Sequence, residues 1–168
     1  MSSFTIKVLS ESDWHEYKLI RLKSLLDSPD SFGSTHKQEV SLTDEKWRSR
    51  LSGSLINGSL LTVAAIVEKT YIGLLSGVIN ESNVSNAHLY QMWVDPQYRG
   101  MGVGTALVKN VRTWSSSNRA KKMILSVTTT NEHAISLYQS IGFEPVGALE
   151  PLRPNSELQS QVMEMKLQ

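Results

Sequence analysis

Two spacings of apolar residues alternate along this chain, and they predict a mixture of strands and helices. Residues 4–9 place apolar side chains at every second position, as a strand with one buried face does. Two runs rich in β-branched and aliphatic residues, 60–67 and 71–79, flank the polar turn 68–70 and predict a hairpin. Further strands are predicted over residues 87–94, 123–127, 143–148 and 162–167.

Apolar residues three or four positions apart predict four helices between these strands. The first begins after Asp13, which is placed to cap it, and the second begins at Thr43 before an acidic turn. Residues 28–41 between these two helices are predicted to be a polar loop. The third helix is predicted over residues 102–116 and the fourth over residues 131–141, where a glycine ends it.

The resulting order is β-α-α-β-β-β-α-β-α-β-β. It predicts an α/β fold of the mixed-sheet (α+β) kind, with helices on the faces of the sheet. The β-α-β run over residues 87–127 is predicted to be a right-handed parallel crossover. At 168 residues, without repeats or a shift in composition, the chain is expected to form a single domain over residues 1–168.

Composition narrows the possible functions. Hydrophobic residues make up 40% and charged residues 20%, which is ordinary for a globular protein, and the absence of cysteine excludes disulfides and thiolate chemistry. Seventeen basic against 16 acidic residues give a net charge of +1, so no nucleic-acid partner is expected. The four histidines lack metal-ligand spacing. No apolar stretch suits a signal peptide or a membrane span, so we expect a cytoplasmic protein, monomeric or homodimeric.

The most specific feature is the glycine-rich segment over residues 94–105, which reads VDPQYRGMGVGT. It follows a predicted strand and opens a predicted helix. Alternate glycines let a ligand approach the backbone, and the free N–H groups of a helix's first turn favour an anion such as phosphate. A nucleotide-binding P-loop is excluded because no lysine follows Gly104, and the glycine spacing also departs from the dinucleotide fingerprint.

The pattern Arg99-x-x-Gly102-x-Gly104 resembles the acyl-CoA pyrophosphate loop of the GNAT (GCN5-related) N-acetyltransferase superfamily. Val94-x-Pro96 before the loop is similar to the exit of that family's fourth strand. A second segment downstream, Asn131-x-x-Ala134-x-x-Leu137-Tyr138 followed by Ile141-Gly142-Phe143, resembles another conserved part of the family. The two segments span about a third of the chain.

The resemblance implies acetyl-CoA as cosubstrate, with its pantetheine arm inserted between two splayed central strands. The peptide groups of Met92 and Val94 would pair with the arm, whereas Trp93 between them points to the opposite face, where core packing is its other interpretation. Arg99 would add charge near the phosphates or stay solvated, and Asn131 would cap its helix, bond the arm, or do both. The pyrophosphate would receive backbone N–H groups from Gly100, Met101, Gly102, Val103, Gly104 and Thr105.

The same resemblance implies that Tyr138 is a general acid beside the thioester sulfur, although an aromatic residue on that helix stripe also suits a core.

The general base is less defined. Ser126, which cannot serve as a base, occupies a position where some relatives have a glutamate. His88 occupies another such position, where its titration range suits the task, and its other interpretation is an ordinary polar residue at the start of a strand. Glu39 and Glu81 are further candidates. A backbone N–H near Met92 or Trp93 is expected to stabilise the oxyanion.

The acceptor side is expected to involve residues 30–39, where Glu39 would attract a cationic amine and Phe32 would line the pocket. The implied function is transfer of an acetyl group from acetyl-CoA to a primary amine, by direct attack in a ternary complex. No metal is expected. The alternative is a non-catalytic, regulatory module that binds acyl-CoA, and the acceptor amine stays open.

Overall fold

A computed structural model describes residues 3–52, 54–55 and 58–168 of the chain. The strands are β1 (Thr5–Val8), β2 (Ser54–Leu55), β3 (Gly58–Val67), β4 (Thr70–Asn80), β5 (Asn86–Val94), β6 (Lys122–Thr128), β7 (Glu144–Pro151) and β8 (Gln159–Lys166). The α-helices are α1 (Trp14–Asp27), α2 (His36–Val40), α3 (Asp44–Ser49), α4 (Val103–Ser117) and α5 (Glu132–Ile141). The strands form one sheet in the order β1-β3-β4-β5-β6-β8-β7, and β2 pairs with β3.

The predicted fold class is confirmed, and the predicted order of elements recurs with two short additions, α2 and β2. Helix α2 lies inside residues 28–41, which were expected to be a loop. It is held by a reciprocal cap in which the Gln38 N–H donates to the Thr35 hydroxyl and the Thr35 N–H donates to the Gln38 side chain. A five-residue helix is little more than one turn, so it leaves no periodic pattern in the sequence.

The predicted caps have different outcomes. Thr43 caps α3, because its hydroxyl accepts the Lys46 N–H at 3.2 Å. Asp13 precedes α1, but its carboxylate accepts the Ser10 N–H at 2.9 Å and pairs with Lys7 at 2.7 Å instead of capping that helix. In the described part of the chain, no helix is both long and apolar enough to cross a membrane.

Each face of the sheet carries its own hydrophobic core. Helix α4 covers one face, here named the α4 face, with Leu107 and Val111 fully buried. A side chain at Gly77 of β4 would stand 2.7 Å from Val111, so this glycine lets the helix pack closely. Helices α1 and α3 cover the opposite face, here named the α1 face, where Tyr17 and Trp47 are buried edge to face.

Strands β5 and β6 are parallel neighbours that separate after three residue pairs. They are paired over residues 86–88 and 122–124, and beyond His88 and Ile124 no further pairing occurs. On its other edge β5 carries a β-bulge, because Gln91 and Met92 together oppose Leu75 of β4. The separation opens the middle of the sheet, as expected for splayed central strands.

Candidate active site

A cavity of about 1270 Å³ occupies the opening between β5 and β6. Residues 89–94 of β5 and 125–127 of β6 form its two sides. The start of α4 and the inner side of α5 bound it on one face of the sheet, and residues 28–34 with α2 bound it on the other. Because it passes through the sheet, a ligand bound on the α4 face can meet one that enters from the α1 face.

The glycine-rich turn forms the α4-face end of this cavity. Gly100 and Gly102 have φ angles of +75° and +84°, a left-handed conformation that glycine adopts without strain. The first bond of α4 runs from the Ala106 N–H to the Gly102 carbonyl at 3.0 Å. The earlier N–H groups of the helix therefore lack intrahelical partners, and with the helix dipole they are suited to bind an anion.

Gly104 is required by packing rather than by its backbone angle. A side chain there would stand 2.8 Å from Leu137 of α5 and 3.0 Å from Met92 of β5. The glycine thus lets α4, α5 and the bulged strand converge at one edge of the cavity. Met101 is exposed between the two left-handed glycines, so any contribution it makes to the anion site is through its backbone.

The Arg99 side chain is held on the α1 side of the turn. Its Nε donates to the Val94 carbonyl at 2.9 Å, and its guanidinium pairs with Asp27 at 3.3 Å. Burial opposes ionisation of Asp27, but hydrogen bonds from Ser28, Trp93 and Arg99 outweigh it and hold the pKa of that carboxyl below its usual value. Arg99 is therefore neither a free solvated residue nor a free phosphate ligand in this structure.

The backbone of β5 presents to the cavity peptide groups that do not pair with another strand. The Asp95 N–H donates to the Ile72 carbonyl at 2.8 Å, and Trp93 pairs with Leu74 two positions earlier. Antiparallel pairing alternates, so the Trp93 peptide groups point to β4 while those of Val94 and Met92 point into the opening. Of the two N–H groups predicted to stabilise an oxyanion, only that of Met92 is free for the task. The Trp93 indole lies on the α1 face and donates to Asp27 at 3.0 Å.

The bulge also decides which side chains of β5 reach each face. Leu89 and Met92 both pack on the α4 face, although they are three residues apart. Gln91, at φ +64°, stays on the α1 face with Tyr90, and the Tyr17 hydroxyl donates to its side-chain oxygen at 2.8 Å. Without the extra residue, Gln91 would point into the α4-face core.

Tyr138 lies on α5 with its ring edge to face with Phe143, 5.8 Å between centroids. The residue is 6% exposed and lines the cavity, and its hydroxyl makes no hydrogen bond within the described part of the chain. Burial raises the pKa of the phenol well above its ordinary value. The Tyr138 phenol is therefore uncharged near pH 7 and can donate a proton.

His88 lies at the last position where β5 pairs with β6, at the point where these two strands separate. Its ring is stacked on Tyr90 with 6.3 Å between centroids, on the α1 face of the cavity. Partial burial, and then the charge of Lys122, lower the pKa of the imidazole. His88 is therefore neutral at pH 7 and able to accept a proton from a ligand on this face.

Asn131 acts as the cap of α5, where its oxygen accepts the Ala134 N–H at 3.2 Å. Its amide nitrogen reaches Ser31 at 3.3 Å, which joins α5 to the segment that walls the α1 face. In the residues that the structure describes, no group of three or more His, Asp or Glu side chains is placed to hold a metal ion.

The model for the Acetyltransferase (GNAT) family matches residues 20–143, nearly three quarters of the chain. The chain belongs to the GNAT acetyltransferase family. By sequence, this GNAT chain is 33% identical to an N-acetylaspartate synthetase of Xenopus tropicalis over 86 residues, 51% of this chain and 31% of that protein. It is 34% identical to an uncharacterized N-acetyltransferase of Bacillus subtilis over 77 residues, 46% of this chain and 29% of that protein. The matches thus span less than a third of these curated relatives.

Solved structures share the GNAT fold over the whole chain. A GNAT-family acetyltransferase from Streptococcus pneumoniae has a TM-score of 0.82 at 19% identity, covering 99% of this chain and 100% of that one. The PaiA N-acetyltransferase from Thermoplasma acidophilum, solved in complex with coenzyme A, has a TM-score of 0.75 at 20% identity, covering 98% and 99%. At these identities the likeness shows the fold.

Most of the residues that the sequence singled out line the cavity of this GNAT chain. Of the two further candidate bases, Glu81 lies outside the cavity and Glu39 is already engaged in ion pairs. Glu81 lies exposed after β4 and does not line the cavity. Glu39 is buried and accepts hydrogen bonds from Arg21 at 2.9 and 3.0 Å and from Arg50 at 3.2 Å. Burial opposes its ionisation, yet these two arginines hold the pKa of Glu39 below its usual value. The prediction that Glu39 attracts a cationic amine is therefore wrong, because its charge is already compensated.

Among the cavity residues of this GNAT chain that were missed from sequence are Gln91 and Arg50. The signal for Gln91 was present, because apolar residues at positions 87, 89, 92 and 94 break the strand's alternation between Leu89 and Met92. Such a break is typical of a bulge beside a functional site. Nothing in the sequence around Arg50 distinguished it from the other basic residues near α3.

Proposed function

We propose that this GNAT enzyme transfers the acetyl group of acetyl-CoA directly to a primary amine in a ternary complex. The observation that carries the proposal is the opening between β5 and β6, which connects the anion site at α4 with Tyr138 on one face and His88 on the other. Both cosubstrates can then meet inside the sheet.

Acetyl-CoA would bind from the α4 face. Its pyrophosphate would accept N–H groups from Gly100, Met101, Gly102, Val103, Gly104 and Thr105. The pantetheine arm would pair with the peptide groups of Val94 and Met92 that face the opening, as a strand would, and lie within reach of Asn131. Arg99 would release the Val94 carbonyl to the arm and turn its charge towards the phosphates.

In the transfer step, the amine nitrogen forms a bond to the thioester carbonyl carbon and the carbon–sulfur bond breaks. His88 accepts the proton that the amine loses, and the Tyr138 hydroxyl supplies a proton to the departing sulfur. The Met92 N–H would stabilise the negative charge on the carbonyl oxygen. Solvent then restores both side chains. A cytoplasmic, metal-free enzyme remains the expectation from the sequence.

Titration calorimetry with acetyl-CoA in EDTA, followed by a CoA-release assay over a panel of primary amines, tests the proposal. We expect saturable heat in EDTA and amine-dependent release. A pantetheine thioester without the nucleotide should bind much more weakly, because it lacks the phosphates. Absence of a calorimetric or thermal-shift signal at millimolar acetyl-CoA would contradict the proposed cosubstrate, and binding without transfer to any amine would indicate a non-catalytic acyl-CoA-binding module.

A further inference from the structure

A buried polar cluster lies against the α1 face of the cavity and contains more positive than negative charge. Its charged members are Arg21, Glu39 and Arg50, all of which line the cavity. Arg21 is 3% exposed, and its guanidinium lies over the Phe32 ring at 4.6 Å. Two arginines against one glutamate leave a surplus of one positive charge in a poorly solvated place.

The hydrogen bonds of this cluster leave donors without acceptors. Both oxygens of Glu39 are occupied by Arg21, and Arg50 adds a third bond to an oxygen that Arg21 already contacts. The Nη1 of Arg21 is buried without a partner among the described residues. Because arginine has donors only, the cluster as it stands cannot satisfy itself.

Gln91 adds a neutral donor to the same wall. Its side-chain oxygen is taken by the Tyr17 hydroxyl at 2.8 Å, so its amide nitrogen is left to face the cavity as a donor. Tyr17 also neighbours Arg50, whose positive charge opposes the rise that burial causes in the phenol pKa. Arg50 and Gln91 therefore both neighbour the same buried phenol.

The other charges around the cavity do not cancel this surplus. Asp27 is paired with Arg99, and Lys122 beside His88 is paired with Glu164 at 2.8 Å. Asp30 and Glu150 line the cavity at its exposed rim, where water screens them. The interior of the α1 face thus favours a ligand group that carries one negative charge and accepts several hydrogen bonds.

We infer that the acceptor amine also carries a carboxylate, as an amino acid does, and that Arg50 with the Gln91 amide binds this carboxylate. A carboxylate supplies one negative charge, which balances the one surplus positive charge of the cluster. Its two oxygens can accept hydrogen bonds from the Arg50 guanidinium and from the Gln91 amide. Arg50 is the direct ligand because its side chain lines the cavity and is 26% exposed, whereas Arg21 is 3% exposed and paired with Glu39. The inference rests on the proposed acetyl transfer and specifies its acceptor class.

The test compares matched amines with matched arginine variants. CoA release is measured for amino acids, for their carboxamides and for the corresponding decarboxylated amines, with a phosphate-bearing amine as a further comparison. The variant Arg50→Gln removes the charge but leaves the Arg21–Glu39 pair intact. Arg48→Gln is the control, because Arg48 lies in α3 two residues before Arg50, stacks on Trp14 at 4.7 Å and does not line the cavity.

We expect amino acids to be used in preference to their carboxamides. Arg50→Gln should raise the KM for an amino acid by about ten- to a hundredfold, the loss typical of a charge-assisted hydrogen bond, and leave the KM for its carboxamide within about twofold. The affinity for acetyl-CoA, measured by calorimetry, should not change. Arg48→Gln should match the wild type throughout.

Equal use of amino acids and carboxamides, or a preference for the phosphate-bearing amine, would overturn the inference while leaving acetyl transfer intact. An equal rise in KM for both amine classes in Arg50→Gln would assign this residue a structural role only. If no amine is acetylated, calorimetry of amino acids with the CoA-saturated protein decides: binding that requires Arg50 supports the carboxylate site, and its absence refutes it. Failure of acetyl-CoA itself to bind would instead refute the proposed function.

Discussion

The Tyr17 hydroxyl and the Gln91 side chain are joined by a hydrogen bond of 2.8 Å that ties α1 to the bulge of β5. Gln91 is the bulge residue with a left-handed backbone, at φ +64°. A non-glycine residue in that conformation carries strain that its surroundings must compensate. The bond therefore helps to hold the bulge that turns the Met92 peptide group into the cavity.

Tyr17→Phe should lower the free energy of unfolding by about 1 kcal/mol, the net value of a typical hydrogen bond. Urea denaturation measures this change. Tyr71→Phe is the matched control, because the Tyr71 hydroxyl makes no hydrogen bond within the described residues and its removal should cost less than about 0.5 kcal/mol. Equal stability of the two variants would mean that the Tyr17–Gln91 bond does not support the bulge.

Tyr138→Phe keeps the ring against Phe143 and removes only the proton donor. We expect kcat to fall about a hundredfold, the lower end for general acid catalysis, since a thiolate is already a fair leaving group. The affinity for acetyl-CoA should stay within a few-fold by calorimetry. Because burial raises the phenol pKa, the wild-type rate should show no alkaline decline from Tyr138 below about pH 10. Wild-type turnover in the variant would make Tyr138 a core residue only.

The rate should depend on pH through His88. Burial and Lys122 lower its pKa, so the neutral base is present above, and lost below, a pH that lies under the usual value of about 6.5. Lys122→Gln removes the repelling charge, which should raise the pKa of His88 and move the acid limb of kcat/KM to higher pH. His88→Ala should lower the rate mainly below about pH 8, where the free amine is scarce. Profiles that coincide in all three proteins would remove His88 from the mechanism.

Gly102→Ala and Gly147→Ala separate backbone strain from phosphate binding. Both glycines have left-handed φ angles, +84° and +75°, and a side chain at either would meet nothing within 4 Å. Each variant should therefore lose about 1–2 kcal/mol of stability. Only Gly102→Ala should also weaken acetyl-CoA binding, since Gly147 lies on β7, away from the cavity. Equal affinities of the two variants for acetyl-CoA would contradict the proposed pyrophosphate site.

Glu39→Gln should destabilise the protein by about 3–5 kcal/mol, because it leaves buried Arg21 without its counter-ion. The pKa of Glu39 is lowered in the folded state, so its contribution is complete above the unfolded pKa near 4.5 and is lost as the pH falls through the lower folded value. Chemical denaturation between about pH 3 and 7 should show a larger loss of stability in the wild type than in the variant, which keeps only the contributions of other carboxyls such as Asp27. The exposed Glu45→Gln should change stability by less than about 0.5 kcal/mol.

The elements that were predicted correctly depend on neighbours along the chain. The alternation in residues 60–67 and 71–79 and the three-and-four spacing in α4 follow from backbone geometry, which repeats every two or 3.6 residues. The glycine-rich turn was recognised for the same reason, since a strand, a turn and a helix start are consecutive. Short elements such as α2 were missed because a single turn cannot display a period.

The chemistry of the acceptor side depends on residues that are distant in sequence. Glu39 was expected to attract a cation, but Arg21 and Arg50, 18 and 11 positions away, neutralise it. Arg99 was expected to be either solvated or near phosphate, and Asp27, 72 positions away, holds it instead. Local sequence determines which residues form strands, helices and the glycine-rich turn. Charge compensation and the bulge partner of Gln91 are decided only when the folded sheet brings separate elements within hydrogen-bond distance.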